Sequence, residues 1–399
     1  MTTCDFLIIG GGIIGISIAR ELKARHPDCT ILLLEKENQC GLHGSGRNSG
    51  VLHAGFYYTS DSLKARFTRQ GNQQLTEYCK TKKLKINQCG KLVVAKNEKE
   101  REGLKELLLR GKQNGVELNE ISEAEAHDIE PKVKTCGKAL FSPTTSTVDP
   151  TEVLSSLLKD AQNENIIIKV GEKYTGRKIN TIQTQTGNYE AGYIINAAGL
   201  YADTIGKDFG FSKDYSILPF KGLYLYSTEP AGTLRTNIYP VPNLHNPFLG
   251  THFTVMVDGR SKIGPTAIPA FWREHYSGLN GFKLEEFVDI LLRQTSLFAF
   301  SNFDFKQLAW EEIQKYYRPR LVELASNLLK EVKLQNYKLW GKAGIRAQLL
   351  NVKEKKLEMD FVLEGDSKSF HILNAVSPGF TCALPFAEYV CEEINRLIK

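Results

Sequence analysis

The fold turns on the run Asp5-Phe6-Leu7-Ile8-Ile9-Gly10-Gly11-Gly12-Ile13-Ile14-Gly15. Asp5 to Ile9 is short, apolar and ended by glycines, the pattern of a buried strand. Ile13 to Arg25 reads as a helix, stopped by His26-Pro27-Asp28. Gly10, Gly12 and Gly15 make a G-x-G-x-x-G turn between the two. Gly10 permits the tight turn, Gly12 lets a pyrophosphate approach the backbone, and Gly15 lets helix and strand pack closely. Phosphates then sit at the helix N-terminus beside Ile14, where free N–H groups and the helix dipole favour negative charge. Thr30 to Leu34 is a second apolar strand, and Glu35 follows it, 20 positions beyond Gly15. An acid at that place, followed here by Lys36, accepts hydrogen bonds from ribose hydroxyls. Strand, turn, helix, strand and acid together predict a dinucleotide site, without separating FAD from NAD.

The 399 residues are 42% hydrophobic and 24% charged, an ordinary globular composition with room for two domains or one large composite. A formal net charge of +6 is mild. It suits acidic substrates or an anionic membrane surface, and without a basic cluster it argues against nucleic acid. The eight cysteines show neither a C-x-x-C pair nor zinc-like spacing. They predict reduced, intracellular thiols and no metal site. Phe6 to Ala19 is apolar, but it lacks a basic lead and is shorter than the ~20 residues that span a bilayer. A soluble cytoplasmic protein is the expectation.

Further along, the chain reads as a mosaic. Helices are predicted for Ser62 to Leu84 and Glu98 to Gly115. Ser122 with Glu125, and Asp149 with Glu152, look like capping boxes, the second with Pro150 at the first helical position. Strands are predicted for Lys91 to Ala95, Ile166 to Val170 and Tyr189 to Asn196. Ile217 to Gly264 alternates strand and turn, punctuated by Tyr239-Pro240-Val241-Pro242. Phe282 to Val332 is mostly helical. A strand from Phe370 to Val376, a Ser377-Pro378-Gly379 turn and a helix from Thr381 to Ile398 suggest that the last segment rejoins the first.

After Glu35 comes a loop dense in glycine and small polar residues, whose backbone can run close to a ligand and donate N–H groups to it. Its stretch Ser45-Gly46-Arg47-Asn48-Ser49-Gly50-Val51-Leu52-His53-Ala54-Gly55 resembles the FAD-holding loop of the D-amino-acid-oxidase-like flavoproteins. Within that superfamily the chain most resembles the L-2-hydroxyglutarate dehydrogenases and oxidases. Asn196-Ala197-Ala198-Gly199 resembles a second FAD-contacting turn. Pro219 to Gly222, Tyr239 to Pro242 and Pro247 to Thr254 resemble substrate-domain blocks. Gly341 to Gln348 and Pro378 to Thr381 resemble C-terminal blocks. The likeness is weakest from Asn97 to Lys138, and Asn243-Leu244-His245-Asn246 departs from the family's proline-plus-acid turn.

The resemblance implies an α/β composite: a Rossmann-type FAD-binding domain (1–85, 146–212, 341–399) interleaved with a mixed-sheet substrate domain (86–145, 213–340). It implies FAD as cofactor, held by Gly10, Gly12, Ile14, Gly15, Glu35, Lys36, Ser45, Arg47, Asn48, Ser49, Gly50, Ala198, Gly199, Gly379, Phe380 and Thr381. The helix that follows Gly379 could point its positive end at the flavin edge that becomes negative on reduction. It implies oxidation of L-2-hydroxyglutarate to 2-oxoglutarate by hydride transfer from Cα to flavin N5. That chemistry needs a base for the hydroxyl proton and cations for the carboxylates. His252 and His53 are the base candidates. Arg346 is the carboxylate clamp, because a guanidinium can hold a carboxylate by two parallel bonds. For the second carboxylate the candidates are Lys221, Tyr58, Tyr57 and Arg260. The remaining histidines, including His43 and His371, read as structural or exposed. The aromatic run Leu297 to Phe305 reads either as core or as a peripheral membrane face that would pass electrons to quinone; oxygen is equally compatible as acceptor. An amino-acid or amine oxidase of the same superfamily is the alternative activity.

Overall fold

The computed structural model describes residues 2–244, 248–300 and 305–399. Its first layer is an eight-stranded sheet whose five parallel strands run in the order Ile167–Val170, Ile31–Glu35, Thr2–Ile9, Asn188–Asn196 and Ser369–Asn374. Phe6 pairs with Ile31 and Ile9 with Leu34, as the opening strand–helix–strand reading predicts. The middle of this sheet is buried on both faces, which is why Leu7-Ile8-Ile9 and Ile31 to Leu34 are apolar without alternation. The Ile13–Arg25 helix crosses between the first two strands. Gly10 adopts φ +119°, and a Cβ on Gly15 would stand 2.0 Å from the Gly10 carbonyl oxygen. No larger residue permits that approach.

The chain end returns to this layer. The Gly379–Ile398 helix buries Cys382, Phe386, Val390 and Ile394. It crosses the Leu63–Thr81 helix at Gly71, whose Cβ would lie 2.0 Å from the Thr381 carbonyl oxygen. Phe386 closes the contact, its ring 4.4 Å from Phe361 and 5.9 Å from Phe67 between centroids. The first expected capping box forms, and at the second Asp149 caps its helix without a reciprocal bond from Glu152. Ser122 and Glu125 form a reciprocal box, and Asp149 Oδ1 accepts from the Thr151 and Glu152 amides.

The second layer is an eight-stranded sheet, in the order Tyr337–Trp340, Leu225–Ser227, Ser261–Gly264, His252–Val255, Asn237–Pro240, Lys91–Val94, Lys138–Ser142 and Asn119–Ser122. Lys91–Val94 runs parallel to Asn237–Pro240, pairing Lys91 with Asn237. Tyr239 and Pro240, expected as punctuation, instead finish a strand, where proline's missing donor is least costly. A third sheet pairs Tyr215–Gly222 with Gly344–Asn351 in an unbroken antiparallel ladder from Tyr215–Asn351 to Gly222–Gly344. Phe220 faces Arg346 in it and Lys221 faces Ile345, so the side chains of Lys221 and Arg346 leave on opposite faces.

The middle of the predicted helical stretch resolves into Leu284–Phe300, Phe305–Ile313 and Arg318–Ser326. Leu297 and Phe305 are buried in a cluster with Phe220, Phe248 and Leu308. That part of the aromatic run is core; Phe298 is half exposed. Ser301 to Asp304 and the side chain of Phe300 lie outside the described residues, as do His245 to Pro247.

A buried ion pair fastens the third sheet to the first layer. Arg273, before those helices, forms two parallel bonds to Asp203, at 2.7 and 2.9 Å, and also donates to the Leu200 carbonyl. Asp203 is fully buried and also accepts from the Ile217 amide at 2.9 Å. Burial opposes ionisation of Asp203, but Arg273 outweighs it and holds the carboxyl below its ordinary 3.8. The stabilisation is therefore present above 3.8 and is lost as pH falls through the lower folded value. Arg273→Met strands a buried carboxylate and should cost about 3–5 kcal/mol in urea unfolding. In an Asp203→Asn background the same change should cost much less; equal costs in both backgrounds would show that the pair is not coupled.

Candidate active site

A cavity of about 520 Å³ opens where the layers meet. The glycine turn supplies Gly10, Gly12 and Ile14 to its wall. Gly12 is the N-cap of the Ile13–Arg25 helix, with no side-chain cap of its own and no acid in the first turn. Ser45, from the following loop, accepts from the Ile13 amide at 2.9 Å through its Oγ. The positive end of the helix thus meets the cavity with no acid in its own first turn. Glu35 is buried, and its carboxylate accepts from the Gly11 and Glu37 amides at 2.8 and 2.9 Å. Those bonds fix its orientation on the cavity wall. Backbone donors at a helix end beside a fixed acid fit the pyrophosphate and ribose of a dinucleotide.

The small-residue loop is built to hold its own shape. Asn48 donates to the Gly44 and Ser45 carbonyls and accepts from the Gly50 amide. Arg47 donates to the Leu42 and Ala343 carbonyls and lies 4.3 Å from the Tyr276 ring centroid. Gly344 leaves room for this, since a Cβ there would sit 2.4 Å from the Arg47 carbonyl oxygen. Thr381, at the start of the last helix, donates to the Val51 carbonyl and accepts from the His53 amide, each at 3.2 Å. Ser49, Ala198, Gly199, Gly379 and Phe380 also line the cavity.

Gly15 and Gly50, expected at the cofactor, do not line the cavity. They permit close packing instead: a Cβ on Gly50 would lie 2.3 Å from the Val148 carbonyl oxygen, at φ +77°. Lys36 lines it, but its ammonium is taken by Glu37 and by Glu274 at 2.7 Å. Glu37, His43 and Glu274 gather three ligand atoms within 4.8 Å of one another, and Lys36 already pairs with both carboxylates. His43, given no role from sequence, lines the cavity and bonds to the Tyr276 hydroxyl and Glu37. His371, by contrast, is buried between Phe209 and Phe211.

Both candidate bases and the candidate clamp line the same cavity. His252 Nδ1 is 2.7 Å from the Gly250 carbonyl oxygen. A carbonyl only accepts, so Nδ1 carries the proton and Nε2 keeps its lone pair. Burial lowers the His252 imidazole to about 3; the Gly250 bond opposes this, and positive Lys91, Arg346 and Lys315 add to it. Burial, then Lys91 and His252, likewise hold His53 well below its ordinary value. Arg346 donates to the Thr266 carbonyl at 2.9 Å and stands 5.5 Å from the Phe248 ring centroid. Among the described residues no carboxylate lies within ion-pair distance of it, so its charge is available to a ligand.

The expected second anchors fall elsewhere. Lys221 is carried away by the strand alternation and lies over the Tyr316 ring at 5.8 Å. Tyr58 packs in an apolar cluster beneath Lys64, and Arg260 is exposed and paired with Asp258 at 2.6 Å. Tyr57 is buried against Lys91. Sequence reasoning missed Tyr224 and Tyr239, which line the cavity. Tyr239 stacks on His252, with centroids 3.8 Å apart and planes at 19°.

The chain belongs to the FAD dependent oxidoreductase family, whose model matches residues 5–393. It is a flavin-dependent oxidoreductase, and the resemblance carried by the Ser45–Gly55 loop and the later blocks is borne out. It is similar to the mitochondrial L-2-hydroxyglutarate dehydrogenase of Bos taurus, 35% identical over 99% of this chain and 89% of that one. An Escherichia coli L-2-hydroxyglutarate dehydrogenase is 32% identical over 99% of this chain and 94% of its own. Among solved structures, the L-alpha-glycerophosphate oxidase of Mycoplasma pneumoniae with FAD bound matches with TM-score 0.77 and 24% identity, over 99% of this chain and 95% of that one. Glycine oxidase from Geobacillus kaustophilus follows at 0.74 and 17%, over 99% and 95%. These matches bear out the expected composite fold.

Glu35→Ala should weaken FAD binding by about tenfold or more, since it removes an oriented charged acceptor. Flavin retained through gel filtration, with unchanged far-ultraviolet circular dichroism, measures this. Full flavin retention would remove Glu35 from the site.

Proposed function

We propose that the protein oxidises L-2-hydroxyglutarate to 2-oxoglutarate. The observation that carries this reading is the meeting, in the dinucleotide cavity, of a neutral imidazole with a free lone pair and a guanidinium that has no carboxylate partner among the described residues. The two L-2-hydroxyglutarate dehydrogenases, aligned along nearly the whole chain, support the choice of substrate. FAD, when bound, supplies the acceptor for the hydride that leaves Cα. Arg346 orients the carboxylate beside the reacting carbon through its planar fork. His252 Nε2 takes the hydroxyl proton, and the Gly250 carbonyl holds the tautomer that makes this possible. An anion held by Arg346 offsets the positive charge around His252 and raises its basicity where it is needed. His53, also buried, is next in line as base.

Electrons leave, in this reading, to quinone or oxygen, from a cytoplasmic protein resting peripherally on the inner face of the cell membrane. The apolar side chains presented by the Leu284–Phe300 and Phe305–Ile313 helices and the turn after them support the peripheral docking: Leu292, Trp310 and Tyr317 are 65, 66 and 68% exposed. Flotation with anionic liposomes should carry the protein upward, and Trp310→Ser should reduce the floated fraction. Protein left wholly in the soluble fraction would remove the membrane from the account.

Anaerobic addition of L-2-hydroxyglutarate should bleach the flavin. Bleaching by amino acids alone would favour the oxidase alternative. His252→Ala should slow flavin reduction by about 100- to 10,000-fold with FAD still bound. Arg346→Lys should raise KM by about tenfold or more, because one ammonium cannot replace the fork. The base works in its neutral form, and activity is lost only as pH falls through its pKa. With His252 lowered to about 3, kcat/KM should show no imidazole limb on the acid side near 6.5. A limb there would place the base elsewhere.

A further inference from the structure

The cavity offers Arg346 for one carboxylate, and the residues that sequence suggested for a second lie away from it. Lys91 presents the missing charge. It begins the Lys91–Val94 strand, is completely buried, and its Nζ has no hydrogen-bond partner. Three rings enclose the ammonium: Tyr239 at 4.7 Å, Tyr57 at 4.9 Å and Phe56 at 5.0 Å from their centroids. Ring faces attract a cation but do not neutralise it. Among the described residues no carboxylate pairs with it. An unpaired buried ammonium is costly unless an anion approaches. The cavity can bring one near, because Tyr239, the ring closest to Nζ, lines the cavity and stacks on His252.

We propose that Lys91, standing behind Tyr239 in the cavity wall, supplies the second positive charge that selects a dianionic 2-hydroxy acid over a monoanionic one. The inference rests on the reading of the cavity as a 2-hydroxy-acid site. Lys91 acts through the wall as a positioning and specificity residue, with Arg346 making the direct contact. The titratable groups around it are Cys89 on its own segment, Tyr57 from the preceding loop, Tyr239 from the neighbouring strand, and His53 and His252 across the cavity wall. Burial brings the amine down to about 7, with Cys89 opposing. A bound dianion favours the ammonium, so the second carboxylate draws a proton onto Lys91. The preference for a dianion is then full below this value and fades as pH rises through it.

Glutarate and pentanoate, equal in length and differing by one carboxylate, are the probes. Neither can be oxidised, and their binding to the holoenzyme is read from the flavin absorbance. On the unaltered protein glutarate should bind more tightly below pH 7, with the advantage shrinking above it. Lys91→Met, which keeps the apolar stem, should weaken glutarate relative to pentanoate by about tenfold and abolish that pH dependence. A merely structural lysine would weaken both acids equally. Retention of the glutarate preference in Lys91→Met, or equal loss for both acids, overturns the assignment while leaving the oxidation of L-2-hydroxyglutarate intact. Glutarate no tighter than pentanoate on the unaltered protein overturns the substrate reading together with it. Should Lys91→Met fail to retain flavin, the pH series on the unaltered protein decides: a preference constant from pH 6 to about 9 sinks the proposal.

Discussion

Everything in this molecule hangs on how closely its backbone approaches itself at the Gly10–Gly15 turn. The Ile13–Arg25 helix can start where it does only because nothing but hydrogen separates Gly15 from the Gly10 carbonyl. That start leaves the uncapped end of the helix facing the cavity and lets Ser45 cap it from the loop. Close approaches elsewhere repeat the device. Gly71 admits the last helix, and Gly344 admits the Arg47 backbone. Together they bring the beginning, middle and end of the chain around one cofactor-sized space. The Arg273–Asp203 pair then secures the third sheet against the first layer.

The electrostatics of that space are one-sided. Arg346 and two neutral imidazoles line the cavity, Lys91 lies behind Tyr239, and Arg346 and Lys91 are without carboxylate partners among the described residues. A protein tolerates such a surplus where a ligand supplies the opposite charge. Burial, helped by the same surplus, keeps His252 neutral and so keeps a lone pair ready on Nε2. Binding and proton transfer are thereby linked: the anion that satisfies the cations also makes the imidazole a better base.

The first strand, the turn and the second strand were legible because their signals are local and short-range. Glu35 was legible for the same reason, by its distance from the glycines. Arg346 and His252 were found through motif context, which fixed them near the ligand without showing what surrounds them. The second cation was not legible. Its position depends on Lys91–Val94 pairing in parallel with Asn237–Pro240, a contact between distant segments that no local pattern encodes. Lys221 failed as an anchor through strand alternation: one residue along the ladder from the register of Arg346, its side chain leaves on the other face. Tyr239 was hidden by its prolines, which read as a turn and proved to be the end of a strand.

The most direct measurement is the structure of the holoenzyme with 2-oxoglutarate bound under anaerobic conditions. The account predicts one carboxylate in the fork of Arg346, the 2-oxo oxygen within hydrogen-bond reach of His252 Nε2, and the far carboxylate toward Tyr239, with Lys91 behind it. Product bound away from Arg346, or with His252 turned from the 2-oxo group, would contradict it.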